Sequence, residues 1–545
     1  MTGWAVILDA AKPEARAFAK ACDDPRSAQI ELLSHILRTN ADCEFGRSHD
    51  FGAIRDLDDY RARVPIRRYD ALQPWLNRVI AGEPSVLSSE PVVAFEETGG
   101  TTAGSKLILY TKPALRAFRV AVLPWLFDLS RRRPGAFAGT AYVAVSPATR
   151  APRATPGGHP IGLPSEGAYL GDDLVSAFLA VSAMPYGVGL VRDVAAWRFA
   201  TLFHLLKAAD LTFISVWSPT FLVVLMEALP ALAPSLIRAV HDGRIPVDAP
   251  ALPGQATEPD PQRAHQIEAA LSAGSLDTAM IWPRLDSISA WTDGPSRMHV
   301  HRLRRIFPHA RLEPKGLLAT EGAVTVPWGG LSYPVPALTS SVVEFIDDTG
   351  RAYLCHELTE GAAYRVVVTT PGGLYRYDLG DRVRCSAIAR GLPQLEFIGR
   401  AERGSDMVGE KLTEEFVAGV LVANEVPAVL VAHPNQSPFY ELLVQTTEPE
   451  RAAAIAAATE RRLCANPQYG YARKIGQLGP LRSRAVPDLL EQLMTNQSQR
   501  GRRIADVKPP VLICDDALRD LLTKHLDEEP EGGQPPSLRE QARAV

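Results

Sequence analysis

The sequence predicts an α/β protein, with a large N-terminal domain of mixed sheets flanked by helices and a small α/β C-terminal domain. Three observations predict it. At 545 residues the chain is too long for one hydrophobic core. Between about residues 90 and 340, short apolar runs alternate with helical patterns, the texture of buried strands in an α/β domain. From about residue 339 the texture becomes β-rich, and mixed strands and helices resume after Gly399-Arg400. The expected domains are 1–398 and 399–527, with a Pro/Gly-rich polar tail over 528–545 expected to be disordered.

Taken in order, residues 1 to about 90 read as helical. Leu32, Leu33, Ile36 and Leu37 keep helical spacing, and helix signals from Asp58 to Ile80 are broken by Pro65 and Pro74. Pro91–Phe95 and Leu107–Tyr110 are short apolar strands around a Gly/Thr-rich loop. Strand-like runs recur at Ala141–Val145, Leu211–Val216 and Ala279–Ile281, with a helix over Val194–Ala208. Ser341–Ile346 meets a turn at Asp347–Gly350, and Tyr364–Thr370 meets Pro371-Gly372-Gly373 before Leu374–Arg384. Gln394–Ile398 ends at the expected boundary, and an alanine-rich helix spans about 450 to 464.

Composition narrows the function classes. Apolar residues make up 46% and charged residues 22%, and the net charge of −4 gives no basic surplus for nucleic acid or an anionic membrane. The six cysteines form no CxxC pair, which argues against a zinc knuckle or dithiol site. Charges arrive too early at the N-terminus for a signal peptide. The most apolar stretch, Thr220–Leu229, is broken by Glu227 and closed by Pro230, short of a membrane span. The expectation is a cytoplasmic, monomeric enzyme.

The most informative segment is Glu97-Thr-Gly-Gly-Thr-Thr-Ala-Gly-Ser-Lys106. Glycines let backbone N–H groups approach an anion, threonine hydroxyls add donors, and Lys106 adds charge. A Walker A loop would place lysine directly after Gly104, where Ser105 stands, so a P-loop nucleotidase is disfavoured. The alternative is a strand-to-strand loop without a ligand.

The loop resembles the Ser/Thr-Gly-Thr-Thr-x-Gly-x-x-Lys phosphate loop of the adenylate-forming superfamily. The superfamily's later motifs have counterparts in order: Ala319-Thr-Glu-Gly322, Tyr375-Arg-Tyr-Asp-Leu-Gly-Asp381, Gly399-Arg400 and Lys508. Asn40–Gly46, Val64–Tyr69, Trp217–Leu222, Lys315–Gly322, Gly409–Glu414 and Asp506–Pro509 are further similar to the Gretchen Hagen (auxin-responsive promoter) family of acyl-acid amido synthetases. The resemblance covers the whole chain except the tail. It implies a mobile C-terminal domain and a reaction in which ATP converts a small carboxylic acid to its acyl-adenylate, which an amine or amino acid then resolves as an amide.

The same resemblance implies the site. Thr98, Gly99, Gly100, Thr101 and Thr102 would cradle the phosphates with Lys106 nearby. Thr320 belongs to the nucleotide site, and Glu321 would hold Mg²⁺, since a hard cation takes carboxylate and phosphate oxygens. Asp381 would accept from the ribose hydroxyls, and Arg400 would reach the ribose or mark the hinge. Lys508 would come over the α-phosphate when the small domain closes. Its Pro509-Pro510 successors favour an extended segment. The alternatives are surface or capping roles for each residue. At the level of function they are a thioester-forming ligase, or a non-catalytic acid-binding protein, which would need neither Glu321, Asp381 nor Lys508. His299-x-His301 reads as a surface pair and Glu410-Lys411 with Glu414-Glu415 as a solvated charge run, while Trp217, Trp282 and Trp291 read as core.

Overall fold

The computed structural model describes residues 2–98, 106–145, 153–163, 166–245, 257–271, 276–400, 404–435, 437–499 and 508–524. Two compact units emerge, Met1–Arg403 with Leu493–Pro509, and Gly404–Gln492 with Pro510–Val545. Gly399 and Arg400 end a strand of the first unit, so the division falls just beyond them, and 493–509 belongs to the larger unit. The expected tail, 528–545, lies outside the described residues.

The larger unit opens with α1 (Gly3–Asp23) and α2 (Pro25–Thr39). Trp4, Ile7, Ala11, Ala15 and Phe18 recur at three- and four-residue intervals, so α1 buries one stripe. Asp24 starts α2 by accepting from the Ser27 N–H, and Pro25 occupies the first turn, where no N–H is needed. The helix α3 (Tyr69–Ile80) begins after Pro65 as expected but continues through Pro74. The strands β1 (Val92–Thr98) and β2 (Lys106–Thr111) pair antiparallel with Thr98 opposite Lys106.

The helix α4 (Lys112–Arg132) follows at once, its first turn capped by the Thr111 hydroxyl. Then come β3 (Thr140–Val143), α5 (Val194–Lys207), β4 (Leu211–Ser215), α6 (Pro219–Glu227), α7 (Leu229–Asp242), β5 (Ser287–Ala290) and β6 (Arg311–Pro314). The four strands form a parallel sheet in the order β3-β4-β5-β6. Such a sheet must be covered on both faces. Phe213 packs with Trp4 and Ile7 of α1 and Leu126 of α4. Ile214, its neighbour in β4, packs with Leu202, Leu222 and Leu236 of α5, α6 and α7.

One expected strand is overturned. Ala279–Ile281 belongs to a helical turn, Thr278–Ile281, because the Asp277 carboxylate accepts from the N–H groups of Ala279 and Met280, each at 3.0 Å. The strand's place in the sheet is taken by Ser287-Ile-Ser-Ala290, whose small polar residues conceal it. No single helix among the described residues is long and apolar enough to cross a membrane.

Two two-residue strands, β7 (Leu318–Ala319) and β8 (Gly322–Ala323), make a tight hairpin. An antiparallel sheet follows, built from β9 (Val342–Ile346), β10 (Ala352–Tyr353), β11 (Ala363–Thr369), β12 (Tyr377–Ala389) and β13 (Leu392–Arg400), in the order β10-β9-β11-β12-β13. Its core joins Val366 and Val368 of β11 to Leu33 and Ile36 of α2 and Leu72 and Leu76 of α3.

The smaller unit contains α8 (Glu414–Leu421), β14 (Ala428–His433), β15 (Phe439–Val444), α9 (Pro449–Leu463), β16 (Arg482–Ala485) and β17 (Leu512–Ile513). The sheet order is β16-β15-β14-β17, with only the central pair antiparallel. The expected solvated charge run is half wrong. Glu410 and Glu414 are buried. The Glu410 carboxylate accepts from the N–H groups of Met407 and Val408 and from the Tyr440 hydroxyl. Burial alone would raise its carboxyl, but these donors hold it below the ordinary value.

Candidate active site

The Gly/Thr loop joins β1 to β2. Gly99, Gly100, Thr101 and Thr102 lie outside the described residues, as does the Thr98 side chain; the Thr98 backbone closes β1. The Lys106 ammonium lies 5.2 Å from the centroid of the Tyr69 ring, and the Leu107 N–H donates to the Tyr69 hydroxyl at 3.1 Å. Tyr69 opens α3, so one side chain ties that helix to both the charge and the backbone at the end of the phosphate-loop candidate.

Thr320 and Glu321 are the two central residues of the β7–β8 hairpin, since Ala319 pairs with Gly322. This turn is pinned from two sides. The Tyr110 hydroxyl of β2 donates to the Thr320 carbonyl at 2.7 Å, and the Tyr377 hydroxyl of β12 donates to Glu321 Oε1 at 3.3 Å. Burial raises the Glu321 carboxyl above the ordinary value. Arg400 pulls it down, while the neighbouring Asp381 carboxylate pushes it up.

Asp381 and Arg400 face each other across β12 and β13, and Arg400 Nε donates to Asp381 Oδ1 at 2.8 Å. The carboxylate is buried, whereas the guanidinium side chain is 44% exposed and can turn toward a ligand. Glu321, Asp381 and Arg400, which are up to 79 residues apart in sequence, therefore form one electrostatic cluster. Among the described residues no group of three or more His, Cys, Asp or Glu could hold a metal alone. Glu321 alone could still hold Mg²⁺ if nucleotide were bound, because that cation needs few protein ligands and fills its shell with phosphate oxygens and water.

The Lys508 ammonium sits 4.4 Å from the centroid of the Trp291 ring, just beyond β5. Trp291 meets Phe397 of β13 edge to face at 5.5 Å, and the Phe397 N–H donates to Asp293 Oδ2 at 3.3 Å. Burial pushes the Asp293 carboxyl up to about 6. Glu396 adds to the rise, and Arg297 and Lys508 oppose it. Lys508 is thus held over an aromatic face with a buried carboxyl nearby.

Beside Glu321 a narrow cleft is lined by Leu109, Tyr110, Phe118, Thr320, Thr370 and Leu374. The lining mixes apolar side chains with the hydroxyls of Tyr110, Thr320 and Thr370.

Sequence reasoning missed Tyr69, Tyr110, Tyr377 and Asp293. Tyr377 lies inside the Tyr375–Asp381 motif, which also has a structural half. Arg376 is buried at φ +45°, bonding Glu344 and the carbonyls of Arg61 and Val64, and Asp378 pairs with Arg68 and Arg365. His299 is buried rather than on a surface, and burial lowers its imidazole to about 3. Trp282 and Trp291 are buried as expected, but Trp217 is only half-buried, with a lysine over its ring.

The chain matches the GH3 family N-terminal domain over residues 14–312 and the GH3 family central domain over 335–400. It is 26% identical over 448 residues to the probable indole-3-acetic acid-amido synthetase GH3.12 of Oryza sativa subsp. japonica, covering 70% of each chain. It is 23% identical over 533 residues to the probable indole-3-acetic acid-amido synthetase GH3.1 of Arabidopsis thaliana, covering 89% of this chain and 88% of the relative. The fold is that of the solved GH3.15 acyl acid amido synthetase, with a TM-score of 0.81 at 19% identity, covering 93% of this chain and 95% of that one.

Proposed function

The chain belongs to the GH3 family and is an ATP-using ligase that forms an acyl-adenylate and then an amide; on that premise we propose the roles of its residues and the class of its substrates. A carboxylate does not react with an amine at neutral pH because its carbon is electron-rich and its leaving group poor. Attack of the carboxylate oxygen on the α-phosphorus of ATP expels pyrophosphate and makes AMP the later leaving group. The nitrogen lone pair of the amine then adds to the acyl carbon, AMP departs, and the amine loses a proton. The first step needs two anions held together and charge on phosphorus stabilised.

The single observation that carries the assignment of roles is the convergence of Glu321, Asp381 and Arg400. Lys106 holds a phosphate charge while Tyr69 fixes its approach. Asp381 accepts from the ribose hydroxyls, with Arg400 turning between Asp381 and the nucleotide. Glu321, oriented by Tyr377, would hold Mg²⁺, which would supply charge neutralisation at the phosphates. Lys508, two residues before the chain re-enters the small unit at Pro510, leaves the Trp291 face to meet the α-phosphate when movement of that unit draws its segment along. The acid is a small carboxylic acid, as the relatives' names suggest. The relatives' names point to indole-3-acetic acid as one member of that class, and the acceptor is an amino acid. The six cysteines are free thiols, in keeping with the reducing cytoplasm where we place the enzyme, acting as a monomer and binding neither membrane nor nucleic acid.

The test is acid-dependent ATP/pyrophosphate exchange across a panel of arylacetic, benzoic and short aliphatic acids, with and without Mg²⁺, followed by amide formation with amino acids and thioester formation with coenzyme A. Mg²⁺-dependent exchange with at least one acid, then amide product, is the expected result. Exchange followed only by thioester, or no exchange from folded protein, would refute the reading.

A further inference from the structure

Lys315 stands immediately beyond β6, at the carboxyl end of the parallel sheet, and it is only 7% exposed. Its ammonium lies 4.9 Å from the centroid of the Trp125 ring on α4 and 5.0 Å from that of Trp217 beyond β4, and it donates to the Ser215 hydroxyl at 2.8 Å. Ser215 pairs in register with Ser289 of β5, and Ser289 with Glu313 of β6. The Ser289 hydroxyl is buried without a hydrogen-bond partner among the described residues. Glu313, two residues before Lys315, already faces Arg132 at 3.4 Å and Arg311 at 3.3 Å. Burial accordingly lowers the Lys315 amine to about 7, and no acid contributes to offset it.

Burying an ammonium without a counter-charge is unfavourable, and two indole faces and a hydroxyl compensate it only in part. A purely structural position of this shape is better filled by methionine or leucine. The charge instead rests on Ser215, whose register partner Ser289 carries an unsatisfied hydroxyl, at the sheet end where open α/β sheets receive ligands. From this juxtaposition we infer that Lys315, with Ser215 and Ser289, forms a carboxylate-binding subsite between Trp125 and Trp217. Lys315, whose protonated form an arriving carboxylate favours, supplies the charge, Ser289 a hydrogen-bond donor, and Trp217, being half-buried, the side from which the ligand arrives. In the ligase reaction such a carboxylate belongs either to the acid or to the acceptor amino acid. Only that identification rests on the proposed function.

The test is equilibrium titration of the full chain, without ATP, using two matched pairs: phenylacetate with phenylacetamide, and glycine with glycinamide. At least one carboxylate should bind tenfold or more tighter than its amide, and the difference should vanish in Lys315→Met. Discrimination in the first pair assigns the acid's carboxylate, and in the second pair the acceptor's. Ser289→Ala should weaken the same carboxylate several-fold and spare its amide. The melting temperature of Lys315→Met should hold or rise, since an uncompensated buried charge is removed. Absence of discrimination in both pairs, or discrimination that survives in a folded Lys315→Met protein, overturns the inference. Discrimination by a chain that shows no exchange with any acid would overturn the proposed function and leave the subsite standing.

Discussion

Asp378 and Asp381 lie three residues apart on β12, and the structure gives them opposite work, so exchanging each for asparagine tests the assignment from both sides. Asp378 is buried, pairs with Arg68 at 2.9 Å and Arg365 at 3.1 Å, and accepts from the Gly380 N–H at 2.9 Å. Asp378→Asn removes the carboxylate that two part-exposed guanidinium groups, Arg68 and Arg365, share. It should cost about 1–3 kcal/mol of stability, a fall of a few degrees in the melting temperature of a unit this size. Asp381 has one arginine partner whose side chain is 44% exposed; on losing the carboxylate, Arg400 rehydrates. Asp381→Asn should therefore leave the melting temperature nearly unchanged. What it loses is a charged acceptor for the ribose hydroxyls, worth about 1.5–3 kcal/mol, or roughly a 10- to 150-fold rise in the KM for ATP. Exchange kinetics at varied ATP, with thermal melts of both variants, separate the two. If Asp381→Asn keeps its KM for ATP, or if Asp378→Asn raises it to the same degree, the assignment of Asp381 to the nucleotide is wrong.

Three further outcomes are expected. Tyr69→Phe removes the acceptor for the Leu107 N–H but keeps the ring beneath Lys106, so kcat/KM for ATP in the exchange assay should fall about fivefold, the equivalent of ~1 kcal/mol; Tyr69→Leu, which also removes the ring, should fall further. Lys508→Ala should lower the exchange rate about a hundredfold or more while the KM for the acid stays put, and unimpaired exchange would remove Lys508 from the mechanism. Asp293 should make stability fall as pH rises. Its folded pKa of about 6 exceeds the ordinary unfolded value near 3.9, so the folded state binds more protons between the two. The resulting penalty is absent below about pH 4 and reaches about 2–3 kcal/mol above pH 6. Melts of Asp293→Asn against pH should consequently show the variant gaining on the parent protein as pH rises from 4 to 7, and parallel curves would refute the burial argument.

The order of motifs made the fold and the main polar residues legible because each motif sits where the chain reverses or strands end. The loop at 99–105 joins β1 to β2, Thr320 and Glu321 are the tip of a hairpin, and Asp381 and Arg400 face each other across neighbouring strands. Strand Ser287–Ala290 was not legible, because two serines in a four-residue buried strand carry no apolar run. Glu410 was read as solvated because the sequence shows a charge among charges. Its four hydrogen-bond donors come from a turn and from Tyr440, thirty residues away. Pro74 does not break α3 as its residue type suggests, because Leu72, Leu76 and Val79 hold the helix in the core on either side of it.

The tyrosines were hidden for a different reason, and it bears on how the site works. Tyr69, Tyr110 and Tyr377 are buried, so by composition they read as packing. A buried hydroxyl needs a polar partner, and here the partners are the polar groups of the site: Tyr69 serves the Lys106 stem, Tyr110 the Thr320 carbonyl and Tyr377 the Glu321 carboxylate. Each ring is anchored in the same core that joins α3, β2 and the antiparallel sheet. The rings transmit the rigidity of that core to a loop stem and a two-residue turn that could not hold position by themselves. Because a few tenths of an ångström matter when two anions must be brought into line, removing one hydroxyl should slow adenylation more than it destabilises the fold, the opposite of what aromatic residues placed only for packing would do.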